Sequence, residues 1–146
     1  MTTTVITGTT NGIGLATARV LAKNQHRLLM LCRNLKAAEA VAREITKETS
    51  NSDIIPIFCD LSSLESVQNA TTTIRQEVDQ IDILINNAGI ISPDQQFSID
   101  GFELTMAVNH LGPFLLTRSL ESLLYGGQVI NLASKAHLFC KASELL

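Results

Sequence analysis

The sequence is poor in the residues that mark several protein classes. It contains no tryptophan, one tyrosine, three prolines and three cysteines, and only 17% of its 146 residues are charged. An odd number of widely spaced cysteines does not form a disulfide framework, so Cys32 and Cys59, which end apolar runs, are expected to be buried reduced thiols. The net charge of −3 predicts no basic surface for nucleic acid or an anionic membrane.

Long hydrophobic runs are also missing. The longest apolar runs have about six residues, whereas a membrane-spanning helix needs about 20. Met1 is followed almost at once by an apolar run, which leaves no room for a signal peptide. Because 45% of the residues are hydrophobic, we expect residues 1–146 to form a single folded domain in the cytoplasm, without a membrane anchor.

Apolar runs alternate with stretches of helical period along the whole chain. The runs are nearly continuous in apolar residues, which is typical of parallel strands covered on both faces. Repeated strand–helix units predict an α/β fold, a Rossmann-type doubly wound parallel sheet of about five strands. The predicted strands are residues 3–7, 27–32, 54–59, 82–86 and 128–133.

Pro56 bears on the order of these strands. A proline inside a strand is tolerated mainly at the edge of a sheet, because it cannot donate a ladder hydrogen bond. In the order 3-2-1-4-5 the third strand is an edge, so we predict that order. Asn34 and either Ser62 or Ser63 are placed to cap the second and third helices.

The segment "TGTTNGIG" joins the first strand to the first helix, with glycines at positions 8, 12 and 14. Glycines in such a turn let the backbone approach a pyrophosphate, whose charge then faces the helix N-terminus. A glycine-rich turn without a ligand is the alternative. The placement between a strand and a helix favours nucleotide binding.

The ends of the second and third strands carry two further candidates. "LCRN" places Arg33, and no acid, where an acidic residue would bind the ribose of NAD, so NADP(H) is predicted in preference to NAD(H). A solvated surface arginine is the alternative. Asp60 follows the third strand, where its carboxylate is placed either to meet the adenine or to cap the next helix.

Five segments, "TGTTNGIG", "CDLSS", "INNAG", "VNHLGPFLLT" and "VINLASKAH", occur in this order and spacing. Together they resemble the short-chain dehydrogenase/reductase family, and most of all its retinol-dehydrogenase-like branch. The resemblance covers nearly the whole chain. It implies hydride transfer between a nicotinamide cofactor and a small-molecule alcohol or carbonyl substrate. The side chains of Ile90 and Ile91 favour an apolar substrate.

The resemblance also implies roles for individual residues. Asn109 and Ser134 match the catalytic asparagine and serine, and no metal is implied. The positions that match cofactor contacts are Thr7, Gly8, Thr10, Asn11, Gly12, Ile13, Gly14, Arg33, Asp60, Leu61, Asn87, Ala88 and Gly89.

Pro113 departs from the family, in which many members have histidine at this position. If residues 102–124 form a helix, the missing N–H of Pro113 releases the carbonyl of Asn109 and kinks the helix. The resemblance implies that this carbonyl holds a water in a proton relay. An ordinary proline kink is the alternative.

The tyrosine and lysine of the family's YxxxK motif do not occur in the 146 residues. The only tyrosine, Tyr125, precedes Ser134 and has valine at the fourth following position. We therefore expect the N-terminal part of such an enzyme, a fragment or truncated gene product that lacks the C-terminal strands, and that binds cofactor without efficient catalysis.

Two other function classes stay open. One is a dinucleotide-binding module without catalysis, and the other is an interaction or regulatory protein. The fifth strand would be an exposed edge, which leaves a homo-oligomer open as well. The tail contains Lys135, Lys141, His137 and Cys140. The last two, His137 and Cys140, are too few ligands for a structural zinc site.

Overall fold

The computed structural model describes residues 1–134. Its centre is a five-stranded sheet in the order β3-β2-β1-β4-β5, and all neighbouring strands are parallel. The predicted fold class and strand order are therefore confirmed. The strands are β1 (Thr3–Thr7), β2 (Arg27–Cys32), β3 (Ile54–Phe58), β4 (Ile83–Asn86) and β5 (Gln128–Asn131).

Pro56 lies in the edge strand β3, where it pairs with Met30 of β2. Because β3 has a neighbour on one side only, the missing N–H of the proline costs the sheet little. The position of this proline in the sequence thus predicted the edge correctly.

Helices cover both faces of the sheet. They are α1 (Gly12–Lys23), α2 (Leu35–Thr49), α3 (Leu64–Glu77), α4 (Leu104–Met106) and α5 (Gly112–Ser119). One buried cluster joins alternate strand residues such as Leu29 and Leu84 to α3 and α5, and the other joins Leu28 and Met30 to α1 and α2. The central strands β1, β2 and β4 are therefore apolar at consecutive positions because each faces a different core on each side.

The predicted helix caps can be compared with the observed hydrogen bonds. Asn34 accepts a hydrogen bond from the Ala37 amide at 3.1 Å, and Ser63 accepts one from the Ser66 amide at 3.2 Å. Ser63, and neither Ser62 nor Asp60, is therefore the cap of α3. The alternative that assigned Asp60 to this cap is wrong, because the residue lies three positions before the cap.

The segment that follows β4 is not one regular helix. A π turn, Ala107–Leu111, separates α4 from α5, and the amide of Gly112 donates to the carbonyl of Ala107, five residues earlier. Pro113 stands at the start of α5, where a residue without an N–H is tolerated. A single helix over 102–124, interrupted only by a kink at Pro113, is therefore not observed. The irregularity does fall beside Pro113, as its missing N–H predicts.

Glu103 caps α4 and gives the chain an acid-sensitive contact. Its carboxylate accepts hydrogen bonds from the amides of Thr105 at 2.9 Å and Met106 at 2.7 Å, and these bonds hold its pKa below the ordinary value of 4.5. Because the folded pKa is lower than the unfolded one, the stabilisation is complete above the unfolded value and is lost as pH falls through the folded value.

We expect Glu103→Gln to lower the melting temperature near neutral pH, with a difference from the parent that vanishes in acid. Thermal melts followed by circular dichroism from about pH 7 to about pH 3 measure this. Glu39→Gln, on the exposed side of α2, provides the baseline. If the difference in melting temperature between Glu103→Gln and the parent stays constant with pH, Glu103 contributes through packing and not through its charge.

The strand β5 lies at the other edge of the sheet, next to β4. Its four residues are exposed, and Val129 and Ile130 each keep more than 40% of their surface accessible. Residues 135–146, including Lys135, His137, Cys140 and Lys141, lie outside the described residues. Within residues 1–134, no helix has the length and apolar composition that crossing a membrane requires.

Candidate functional site

A cavity of about 410 Å³ opens at the carboxyl ends of the strands. This is the edge at which open parallel sheets bind ligands. Of the residues predicted to contact a cofactor, all except Gly12 line this cavity. Those residues are Thr7, Gly8, Thr10, Asn11, Ile13, Gly14, Arg33, Asp60, Leu61, Asn87, Ala88 and Gly89.

The glycine loop, residues 8–14, is shaped by two different glycine properties. Gly12 has φ of +53°, and a Cβ placed on it would meet no atom within 4 Å. A Cβ on Gly14 would collide with the carbonyl oxygen of Gly8 and the side chain of Asn87. Gly14 is therefore needed for packing, whereas Gly12 is needed for its backbone conformation and leaves open space at the start of α1.

Asn87 holds the glycine loop against β4. Its Nδ2 donates to the carbonyls of Thr7 at 2.8 Å and Gly8 at 3.0 Å. In return, the Thr7 hydroxyl oxygen accepts from the backbone amides of Asn87 at 3.0 Å and Ala88 at 2.9 Å. Both amide hydrogens of the Asn87 side chain are thus used within the protein, and only its oxygen remains for a ligand.

Arg33 follows the last residue of β2 and is exposed at the cavity. No carboxylate within residues 1–134 forms an ion pair with it, in contrast to Arg19, Arg27 and Arg118. A guanidinium without an internal partner keeps all its donors for a ligand. Asn34 lies next to it and also lines the cavity.

Asp60 lies on the same rim, after β3. Its Oδ1 accepts from the backbone amide of Ser62 at 2.9 Å and from the Ser62 hydroxyl at 2.7 Å. These bonds fix the carboxylate in a turn, and its second oxygen has no hydrogen bond to a residue of the described chain. Leu61, which is 6% exposed, provides an apolar wall beside it.

A second cavity of about 950 Å³ adjoins the first and contains the predicted catalytic residues Asn109 and Ser134. The two cavities share Asn87, Ala88 and Gly89. A ligand held by the glycine loop can therefore extend past these residues toward Ser134.

The side chain of Asn109 is occupied by the backbone of Ile90. Its Oδ1 accepts from the Ile90 amide at 2.8 Å, and its Nδ2 donates to the Ile90 carbonyl at 2.8 Å. The side chain therefore fastens the loop after β4 to the π turn. Its role in this structure is to position that loop and its own main chain.

Tyr125 does not belong to this site. It lies in the turn before β5, is 90% exposed, and lines neither cavity. It therefore cannot serve as the acid or base beside Ser134. Within residues 1–134, no three side chains among His, Cys, Asp and Glu come together as metal ligands.

Sequence reasoning missed several residues of the first cavity. Cys32 and Cys59 are buried free thiols, as expected, and they also line the cavity. Burial raises the pKa of Cys59 to about 12, with smaller contributions from Asp60 and Cys32, so this thiol stays protonated. Their positions at the ends of β2 and β3 could have indicated this location, because ligands bind at that edge.

Comparison with known proteins settles the family. The family model for the short chain dehydrogenases matches residues 2–143. The chain belongs to this family. It is 40% identical over 139 residues to retinol dehydrogenase 13 of Homo sapiens, which covers 93% of this chain and 42% of the human protein. It is 42% identical over 136 residues to retinol dehydrogenase 12 of Bos taurus, with 91% and 43% covered.

These relatives confirm the retinol-dehydrogenase-like branch. The chain spans less than half of their length. A solved structure, an alcohol dehydrogenase from the archaeon Thermococcus sibiricus complexed with 5-hydroxy-NADP, has a TM-score of 0.75 and 28% identity, and the match covers 88% of this chain and 56% of that one. The chain therefore belongs to a family of oxidoreductases, and its sheet is the Rossmann sheet of that family.

Proposed function

We propose that this chain is the NADP(H)-binding part of an oxidoreductase that acts on an apolar alcohol or carbonyl compound. The observation that carries the cofactor preference is Arg33. It stands at the end of β2, lines the same cavity as the glycine loop, and has no ion-pair partner within residues 1–134. A 2′-phosphate would satisfy this guanidinium through charge-assisted hydrogen bonds, whereas the 2′-hydroxyl of NAD would not.

The pyrophosphate is assigned to the open space beside Gly12. α1 begins at Gly12, and the partial positive charge of a helix N-terminus favours an anion. Thr10, Asn11 and Ile13 border the cavity at the same place. Asp60 and Leu61 on the opposite rim are assigned to the adenine.

The substrate is assigned to the second cavity. Ser134 would donate a hydrogen bond to the substrate oxygen, and the main chain at Asn109 would hold a water. The other lining residues include Ile91, Phe114 and Leu132, which favour an apolar substrate. The names of the retinol dehydrogenase relatives agree with this class of substrate.

Catalysis needs more than these two residues. The 146 residues contain no YxxxK motif, so we propose that they bind cofactor without efficient turnover. A dinucleotide-binding module with no catalytic role is the second candidate, and the same absence favours it. Adding a segment that carries YxxxK and measuring turnover separates the two candidates.

We further propose that residues 1–146 form a single domain located in the cytoplasm.

Replacing Arg33 with alanine tests the cofactor preference. We expect the native chain to bind NADP(H) more tightly than NAD(H), and Arg33→Ala to bind NADP(H) about 10- to 150-fold more weakly, which corresponds to a charge-assisted bond of about 1.5–3 kcal/mol. Affinity for NAD(H) should change little. Isothermal titration calorimetry with both cofactors measures the two constants.

Arg43→Ala is the matched control, because Arg43 is exposed on α2, lines neither cavity and carries the same charge. It should leave both affinities unchanged. Equal affinities in the native chain, or an unchanged preference in Arg33→Ala, would contradict the proposal.

A further inference from the structure

The tip of β2 is joined to the glycine loop by a side-chain hydrogen bond that links Thr9 to Cys32. The Thr9 Oγ1 and Cys32 Sγ atoms lie 3.0 Å apart. Thr9 is fully buried and Cys32 is 4% exposed. Within the described chain, this is the only hydrogen bond that the Thr9 side chain makes.

The bond lies where β1 and β2 diverge. The backbone ladder between them extends to the amide of Gly8, which donates to the carbonyl of Leu31 at 3.0 Å. The Thr9–Cys32 bond joins the next residue of each segment, one position after Gly8 and one position after Leu31. Beyond this bond, Thr10 follows Thr9 in the glycine loop, and Arg33 follows Cys32 at the end of β2. Both residues line the first cavity.

We infer that Cys32, through its hydrogen bond to Thr9, is a positioning residue that sets the distance between the glycine loop and Arg33 and thereby determines the preference for NADP(H). This inference rests on the proposed function of the same cavity. Cys32 need not touch the cofactor in this role. It acts by holding together the two chain segments that carry the residues assigned to the phosphates.

The physical reason is that this bond ties the glycine loop to β2 one residue beyond the backbone bond from Gly8 to Leu31, so that losing either partner releases the loop there. Losing the sulfur of Cys32 has a further cost, because the Thr9 hydroxyl is then buried without a partner, which costs more than the net value of one hydrogen bond. The loop then gains by shifting to bring the hydroxyl to water or to another acceptor. A shift of the loop relative to Arg33 would carry a dinucleotide held by the loop away from the guanidinium, and NADP(H) would lose a 2′-phosphate contact that NAD(H) never makes.

The test measures the ratio of NAD(H) to NADP(H) dissociation constants by calorimetry, together with the melting temperature of each protein. We expect Cys32→Ala and Thr9→Val each to lower the ratio by about three- to tenfold, mainly through weaker NADP(H) binding. The double variant should lower it no further than either single one, because both remove the same bond. Cys32→Ser, which keeps a hydrogen-bonding group, should retain most of the ratio.

Cys59→Ala is the matched control. Cys59 is equally buried and lines the same cavity, but its thiol makes no hydrogen bond to a residue in the described range. Its removal should lower the melting temperature and leave the ratio unchanged. If Cys32→Ala does not fold, the near-isosteric Thr9→Val decides the question.

An unchanged ratio in folded Cys32→Ala or Thr9→Val would overturn the inference. An equal loss of affinity for both cofactors would do the same, because it would show a purely structural role. These outcomes differ from a failure of the proposed function, in which the native chain itself shows no NADP(H) preference and Arg33→Ala has no effect. In that case this inference fails together with the proposed function.

Discussion

Gly12→Val is expected to abolish NADP(H) binding while the chain remains folded. Gly12 has φ of +53°, and the space around its missing Cβ is empty of protein atoms within 4 Å. The Cβ of a valine there would meet no protein atom within 4 Å, and the side chain would be placed in the space that the proposal assigns to the pyrophosphate. The positive φ adds backbone strain of about 1–3 kcal/mol, less than the stability of an ordinary domain.

The loss of affinity should exceed about 100-fold, because at least two charge-assisted bonds to the pyrophosphate would be broken. Calorimetry with NADP(H) measures it, and circular dichroism confirms the fold. Gly101→Val is the matched control, since Gly101 has φ of +82°, is equally open, and lies outside the glycine loop, between β4 and α4. Undiminished binding by folded Gly12→Val would mean that the pyrophosphate does not lie beside this residue.

The 146-residue chain by itself should not oxidise alcohols or reduce carbonyls efficiently. Hydride transfer to a carbonyl leaves negative charge on the substrate oxygen, and a proton must be supplied to it. In the proposal Ser134 donates a hydrogen bond to that oxygen, but serine is not a general acid near neutral pH. A positioned acid or base contributes a factor of about 10²–10⁴, and the exposed Tyr125 lines neither cavity. His110 lines the second cavity, where its ring stacks on that of Phe114, and the prediction requires that it does not act as the acid.

The family's usual acid is a tyrosine, whose phenol has an ordinary pKa near 10 and needs a nearby ammonium to act near neutrality. The experiment therefore has two arms. NADPH oxidation is followed with retinal and with a panel of apolar aldehydes and ketones, first with the 146-residue chain and then with a chain extended by a family segment that carries YxxxK. We expect no turnover in the first arm and activity in the second.

Ser134→Ala in the extended chain is the control and should remove most of the activity. Robust turnover by the 146-residue chain that disappears in Ser134→Ala would contradict the prediction, because it would require another acid beside Ser134. An extended chain that binds NADP(H) with high affinity but still does not react would support the second candidate, a dinucleotide-binding module.

The parts of the molecule that depend on local chemistry were predictable from the sequence. The runs of consecutive apolar residues identified all five strands without knowledge of their neighbours, although β5 is exposed in the described structure. Pro56 then indicated which strand is an edge. Glycine spacing at the first strand–helix turn located the loop that borders the first cavity, because few other residues adopt a positive φ.

The contacts between distant segments were not predictable in the same way. Asn87 and Asn109 were identified from the resemblance, but their side chains bind the backbone of Thr7 and Ile90. The Thr9–Cys32 bond had no counterpart in the sequence analysis, and Pro113 predicted a kink in a helix over 102–124 but not the π turn that precedes it. Each of these depends on which side chains face each other once the strands are adjacent.

The sequence by itself determined the class of fold, the order of the strands and the loop at which a dinucleotide is proposed to bind. These follow from periodicity, proline and glycine, which act through the conformation of their own segment. Only the tertiary structure decided which polar side chains remain free for a ligand. Arg33 keeps its donors, whereas Asn87 donates to the carbonyls of Thr7 and Gly8 and Asn109 donates to the carbonyl of Ile90, because folding brings these backbone groups within hydrogen-bond distance of the two side chains.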